Sequence, residues 1–189
     1  MEFRKTIQSM QKLGANVVTE ARSNLKKEKK ETRSNTLYND MNYVVTADKS
    51  GVELEWRFGG ASDYWDFVNE GVEGSGSSKG RSKTTGRFTK GKGSPFKFKG
   101  NNIAKGVVLK WIANKPLKLR DKKTGKFKEK TQANLKTAAF LIGRAIAQRG
   151  LTRTLFFDNA YNKEVAIAED KITEAFAEDL ELQIETLIK

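Results

Sequence analysis

Ala61-Ser62-Asp63-Tyr64-Trp65-Asp66-Phe67-Val68-Asn69-Glu70-Gly71-Val72 stands directly before a Gly/Ser/Lys/Arg-rich segment that closes on Ser94-Pro95-Phe96-Lys97-Phe98. Tyr64, Trp65, Phe67 and Val68 recur at the i, i+3, i+4 spacing of a short helix. Ser62 or Asp63 serves as its N-cap and Gly71 as its stop. Residues 73–94 hold six Gly and one aromatic, Phe88. Such a segment cannot bury enough apolar surface to offset the entropy of ordering it, so it is expected to be mobile until a partner orders it.

Working outward from this junction, the period of the apolar residues changes twice. Upstream, Val52-Glu53-Leu54-Glu55-Trp56-Arg57-Phe58 alternates apolar with charged, and Tyr43-Val44-Val45-Thr46 precedes it across the turn Asp48-Lys49-Ser50-Gly51. This is a β-hairpin with one wet face carrying Glu53, Glu55 and Arg57. Further upstream, Phe3, Ile7, Met10, Val17, Ala21 and Leu25 draw one apolar stripe along a helix over 2–28, whose charged last turns project from the body. Gly14 in mid-helix costs about 1 kcal/mol against Ala and marks close packing or a slight bend.

Downstream, Ile103, Val107, Val108, Trp111 and Ile112 predict an amphipathic helix ended before Pro116. Thr131 caps a core helix with Leu135, Ala138, Ala139, Ile142, Ala145 and Ile146 on one face and Gly150 as its stop. Phe156 and Phe157 seat at least one ring in the core at the entrance of a last helix, expected over 159–189. That helix is acidic, with nine Asp/Glu against three Lys from Asp158 onward. Its heptad-like seam, Val165, Ala168, Ile172, Phe176, Leu180, Ile184 and Leu187, faces the protein's own sheet or a neighbouring subunit. The fold class is α+β: a small antiparallel sheet packed against long N- and C-terminal helices in a single domain over 1–189, with extended basic arms at 73–94 and 117–130.

Charge is distributed in a block. Residues 73–131 carry 18 Lys/Arg against 3 Asp/Glu, a net +15, while the rest of the chain sums to −2. One sign over one third of the chain attracts a polyanion or an acidic surface, and the bland alternative is a solvated face that serves solubility. Lys83-Thr84-Thr85-Gly86-Arg87-Phe88 and Lys123-Thr124-Gly125-Lys126-Phe127 each place Gly before a basic residue and a Phe, as in a tight turn that returns an extended strand. The residues expected at a subunit or partner interface are Lys79, Arg81, Lys83, Arg87, Phe88, Lys90 and Lys92 on the first arm. Lys122, Lys123, Lys126, Phe127 and Lys128 play that part on the second.

The chain has neither His nor Cys. That excludes disulfides, thiolate or His-based zinc sites and Ser-His-Asp or Cys-His catalysis. Asp63, Asp66 and Glu70 lie at helical spacing and read as solvated carboxylates favouring the helix dipole rather than as a cation site. No catalytic residue, cofactor or metal is expected. No apolar run approaches the roughly 18 residues of a membrane span, and a soluble protein made in the cytoplasm is expected.

The order of these elements resembles the tail-completion or neck family of long-tailed double-stranded-DNA bacteriophages. The first motif that carries the resemblance is Tyr64, Phe67, Val68, Asn69, Glu70 and Gly71; Pro95 and Phe96 follow the variable basic loop. After a helix ending in Arg149-Gly150 comes Thr152-Arg153-Thr154-Leu155-Phe156-Phe157, with Ala160 completing the second motif and Thr154 and Leu155 where the family often has Pro. The resemblance implies a small α+β virion subunit, with no chemistry of its own. It would form a six- or twelve-fold ring in the head-tail neck or at the tail end, among other neck and tail proteins, with non-specific contact to transiting DNA. The competing reading is a basic nucleic-acid-binding protein whose Lys and Arg residues track phosphates.

Overall fold

The computed structural model describes residues 3–28, 36–48, 50–75, 90, 91, 93–100, 103, 105–113, 118–121 and 124–188. The fold is α+β: long terminal helices and small antiparallel sheets. The contacts gather into two compact units, Met1–Asn69 with Thr154–Lys189, and Glu70–Arg153.

In the first unit, α1 (Arg4–Lys27) lies along α6 (Phe156–Ile188). They run antiparallel, since Phe3 stacks on Phe176 with ring centroids 5.8 Å apart and the Asn24 side-chain amide donates to the Phe156 carbonyl at the other end. The buried side of α1 is wider than one stripe: Thr6, Leu13, Gly14, Val17, Val18, Ala21 and Leu25 are covered, and Ile7 and Met10 only half so. The reason is that the helix has two partners. Leu13 lines the α6 side with Ala168 and Ile172, while Gly14 faces the sheet. A Cβ at Gly14 would stand 2.4 Å from the Tyr43 ring, so the glycine serves close packing.

That sheet is the expected hairpin, β1 (Asn42–Ala47) with β2 (Val52–Arg57), paired antiparallel with Tyr43 opposite Trp56. Its turn is held by Asp48, whose carboxylate accepts from the Ser50 and Gly51 amides. Trp56 packs edge-on against Phe157 at 5.5 Å, and the ring of Phe58 stacks on Trp65 at 4.2 Å. Both rings at the entrance of α6 are therefore buried, and the helix begins at Phe156 rather than 159. α6 meets the sheet through Phe157 and Tyr161 against Trp56 and lies along α1 beyond them; of its apolar seam, Val165, Ala168 and Ile172 join the core, whereas Ile184 stays exposed.

Helix ends leave four amides or carbonyls without intrahelical partners, and here residues far along the chain supply them. The Asp179 carboxylate of α6, almost fully buried, accepts from the Lys5 and Thr6 amides at the start of α1 and from the Thr6 hydroxyl. The short α2 (Thr36–Asp40) ends against Arg22, whose guanidinium donates to the Tyr38, Asn39 and Met41 carbonyls. At the start of α6, the side-chain oxygen of buried Asn69 accepts the Phe157 amide at 3.1 Å, while the Asn69 carbonyl accepts the amides of Thr154 and Leu155. Leu155 takes a left-handed φ of 48°, so this bend is held against a local backbone preference.

The second unit has a smaller core in which α4 (Lys105–Ala113) packs on α5 (Gln132–Arg149) through Val108, Ile112 and Ala139. Thr131 caps α5 as the sequence predicts, accepting the Asn134 amide. Its fully covered positions are small, Ala139, Gly143 and Ala147, with the larger residues of the predicted face half-buried beside them. After α3 (Trp65–Glu70), β3 (Val72–Glu73) pairs antiparallel with β4 (Gly150–Leu151), and Glu73 bridges Lys97 in parallel on its other side.

Burial alone pushes the Asp179 carboxyl up, but the Thr6 amide and hydroxyl and the Lys5 amide and charge outweigh it and hold the group below the usual carboxylate range. A depressed folded pKa gives stability that is present above the unfolded value of about 3.9 and is lost as pH falls through the folded one. Asp179→Asn is expected to cost about 2 kcal/mol at pH 7 and to flatten the loss of stability below about pH 4, read by urea unfolding across pH. Asn69→Ala leaves the buried Phe157 amide unpaired and is expected to cost about 1–3 kcal/mol in the same assay.

Candidate cationic interface

The two basic arms rest on different local chemistry. The first leaves the body at Ser75 and returns at Lys90, and both ends are tied to the C-terminus of α5. Ser75 donates its amide to the Ala147 carbonyl at 2.9 Å, and Lys90 donates its amide to Arg149 at 2.6 Å. With the Gly150 amide on Ile146, three of the last α5 carbonyls are satisfied, and two of those donors come from the base of the loop. The negative end of the helix dipole thus faces the root of a cationic segment.

Only glycine permits this junction. A Cβ at Gly74 would lie 2.3 Å from the Gln148 carbonyl, at Gly91 2.4 Å from Val72, and at Gly150 2.3 Å from Val72. Gly91 and Gly150 also hold φ of 70° and 82°, where a side chain is strained. Downstream the base is pinned again: the Ser94 hydroxyl donates to the Gly71 carbonyl at 2.8 Å, the Glu73 amide to Phe96, and the Phe98 amide to Glu73. The expectation of a mobile segment over 73–94 is therefore corrected at its ends, where 73–75, 90, 91, 93 and 94 belong to a hydrogen-bonded base. Lys90 is part of that base. Lys79, Arg81, Lys83, Arg87, Phe88 and Lys92 lie outside the described residues.

The second arm is a hairpin. Arg120 pairs antiparallel with Phe127, the Asp121 amide donates to Lys126, and the Lys128 amide to Leu119. Its turn combines Gly125 at φ 68° with the Asp121 carboxylate accepting the Thr124 amide. The faces alternate. One carries an ion pair of 2.9 Å between Lys128 and Asp121; the other carries Phe127, with the Arg120 guanidinium 4.7 Å and the Lys118 ammonium 5.5 Å from the ring centroid. Lys126 is exposed at the turn, and Lys122 and Lys123 lie outside the described residues.

The residues of the two short motifs come together. Val68 and Asn69 receive hydrogen bonds from Thr154 and Leu155, and Phe156, Phe157 and Ala160 are buried in the first unit with Tyr64, Trp65 and Val68 packed beside them. In the second unit Arg153 forms an ion pair with Glu70, and Gly71 takes φ of 69° against the Leu151 carbonyl. Phe67 and Pro95 stay exposed, and Phe96 is half-buried. Among the described residues no three acidic groups converge as a metal site would need. Glu70 is held by Arg153, and Asp66 accepts the Phe67 amide.

No protein-family model matches the chain, and no similar curated protein or solved structure was found.

Sequence reasoning missed Asn69 as a cap, Ser75 as an anchor, and Arg153 as the partner of Glu70. Their partners stand about 70 to 90 residues away, and no local pattern announces them. The turn at Gly125 was legible, since in Lys123-Thr124-Gly125-Lys126-Phe127 a Gly stands before a basic residue and a Phe. Gly91→Ala is expected to cost about 2–3 kcal/mol and to speed hydrogen exchange at the Ser75 and Lys90 amides; Gly125→Ala, with open space around it, costs about 1 kcal/mol and leaves those amides protected.

Proposed function

We propose that this chain is a structural subunit of a long-tailed bacteriophage virion, forming a ring in the head-tail neck or at the tail end through which DNA passes. The observation that carries this reading is that the motifs behind the resemblance, separated by 88 residues at Asn69 and Phe157, form one hydrogen-bonded junction. Two short motifs that meet in space are what a single structural signature would show, and their meeting supports the reading.

The distribution of charge supports the same reading. A subunit that closes a ring needs one surface that fits a different surface of the next copy. Basic arms with an exposed Phe127 and an acidic α6 on one chain supply two such surfaces. The ring needs no acid, base or nucleophile, so the reading assigns no catalytic residue. Its partners are further copies of the chain and other neck and tail proteins, with DNA touched only in passing.

A second reading, a nucleic-acid-binding protein, is favoured by the exposed Phe127 with Lys118 and Arg120 beside it, since an aromatic ring next to cations can stack on an unpaired base whose phosphate the cations hold. One sample separates the two. The ring subunit is expected to scatter light as an oligomer, or to become one with neck and tail proteins, and to bind DNA more weakly than micromolar at about 0.15 M salt. A monomer that binds DNA at micromolar or better there, with affinity falling steeply as salt rises, overturns the proposal.

A further inference from the structure

α6 has 33 residues and α1 has 24, lengths of about 50 and 36 Å at 1.5 Å per residue. The first turn of α1 is fixed at the level of Phe176 and Asp179 by the ring stack and the amide cap. The turns of α6 beyond Asp179 therefore run on past the start of α1. They expose apolar side chains: Ile184 is 56 % exposed and Ile188 79 %. Glu181, Ile184, Glu185 and Ile188 stand at i, i+3, i+4 and i+7, so two isoleucines and two exposed carboxylates share one helix face.

The hairpin of the second unit presents the converse surface. Phe127, 58 % exposed, shares its face with Lys118 and Arg120 across the paired strands. One ring with two cations fits two aliphatic side chains with two carboxylates, apolar group against apolar group and opposite charges at the rim. We propose that the Lys118–Arg120–Phe127 face of one copy seats on the Glu181–Ile188 face of α6 in a second copy, an inference that rests on the reading of this chain as a ring subunit. Because donor and acceptor surfaces differ, the contact is heterologous and repeats from copy to copy, as a ring requires.

The chain contains no cysteine, so single thiols can be placed without background. Thr124→Cys stands at the hairpin turn, and Ala177→Cys stands on α6 one turn before Glu181, both exposed. Mixed full-length single variants treated with a short bis-maleimide are expected to yield 124–177 heterodimers in at least about fivefold excess over either variant's own dimer. Lys118→Glu in the first variant lowers that yield about fivefold, and Glu181→Lys in the second restores it. A sample that scatters as an oligomer yet gives no 124–177 product overturns the inference and leaves the ring reading intact. So does a product that forms within single chains of the double-cysteine variant at high dilution and not between mixed variants. A chain that stays monomeric and unlinked also overturns it, and the ring reading then rests on assembly with neck and tail proteins.

Discussion

Peptide groups at helix ends must find partners, and in this protein several of them find one across the chain rather than beside them. Each such cap has two consequences. It removes the cost of a buried unpaired amide or carbonyl, about 1–3 kcal/mol, and it fixes where one element stands relative to another within its unit. Asp179 sets the level of α6 against the start of α1, Arg22 holds the end of α2 on α1, and Asn69 joins α3 to the entrance of α6. Hydrophobic burial supplies the driving force but is indifferent to sliding by a turn. The caps are directional, and they settle the register that α1 and α6 adopt.

The same economy explains how a cationic loop is attached. A segment rich in Gly, Ser and Lys, with Phe88 its one aromatic, has little apolar surface with which to dock, and its root is held by backbone groups. The C-terminus of α5 offers free carbonyls and a negative partial charge, and glycines at 74, 91 and 150 let three backbones approach closely enough to use them. A side chain at any of the three would force the strands apart. The anchoring is therefore written in the positions where side chains are missing, which no hydrophobic pattern can report.

Local features were legible in the sequence and distant ones were not. The hairpin 42–57 declared itself by period two and by its Asp48-to-Gly51 turn, the cap at Thr131 by a hydroxyl three residues before the amide it accepts, and the turn at Gly125 by a Gly standing before a basic residue and a Phe. Each is a relation between near neighbours. The wide buried face of α1 was read as a single stripe because the second partner, the Tyr43 ring against Gly14, comes from another element. The start of α6 was placed three residues late because the left-handed Leu155 and the cap from Asn69 move it to Phe156, and neither effect has a local signature. In the candidate interface, the basic block and the Phe of the second hairpin could be read from composition, whereas its two-faced arrangement needed the strand pairing.

That arrangement bears on why the second hairpin keeps its shape despite its charge. Like charges on adjacent strands repel, and residues 73–131 concentrate a net +15. The hairpin places one cation, Lys128, against its own Asp121, and two more over the face of Phe127, where the ring's negative face offsets part of their repulsion. Exposed ion pairs and cation–π contacts are each worth about 1 kcal/mol or less, so they bias the fold of the arm without neutralising it. The ring remains open to solvent on its outer side, and a surface that keeps both its charge and an uncovered aromatic is suited to a contact made with another molecule.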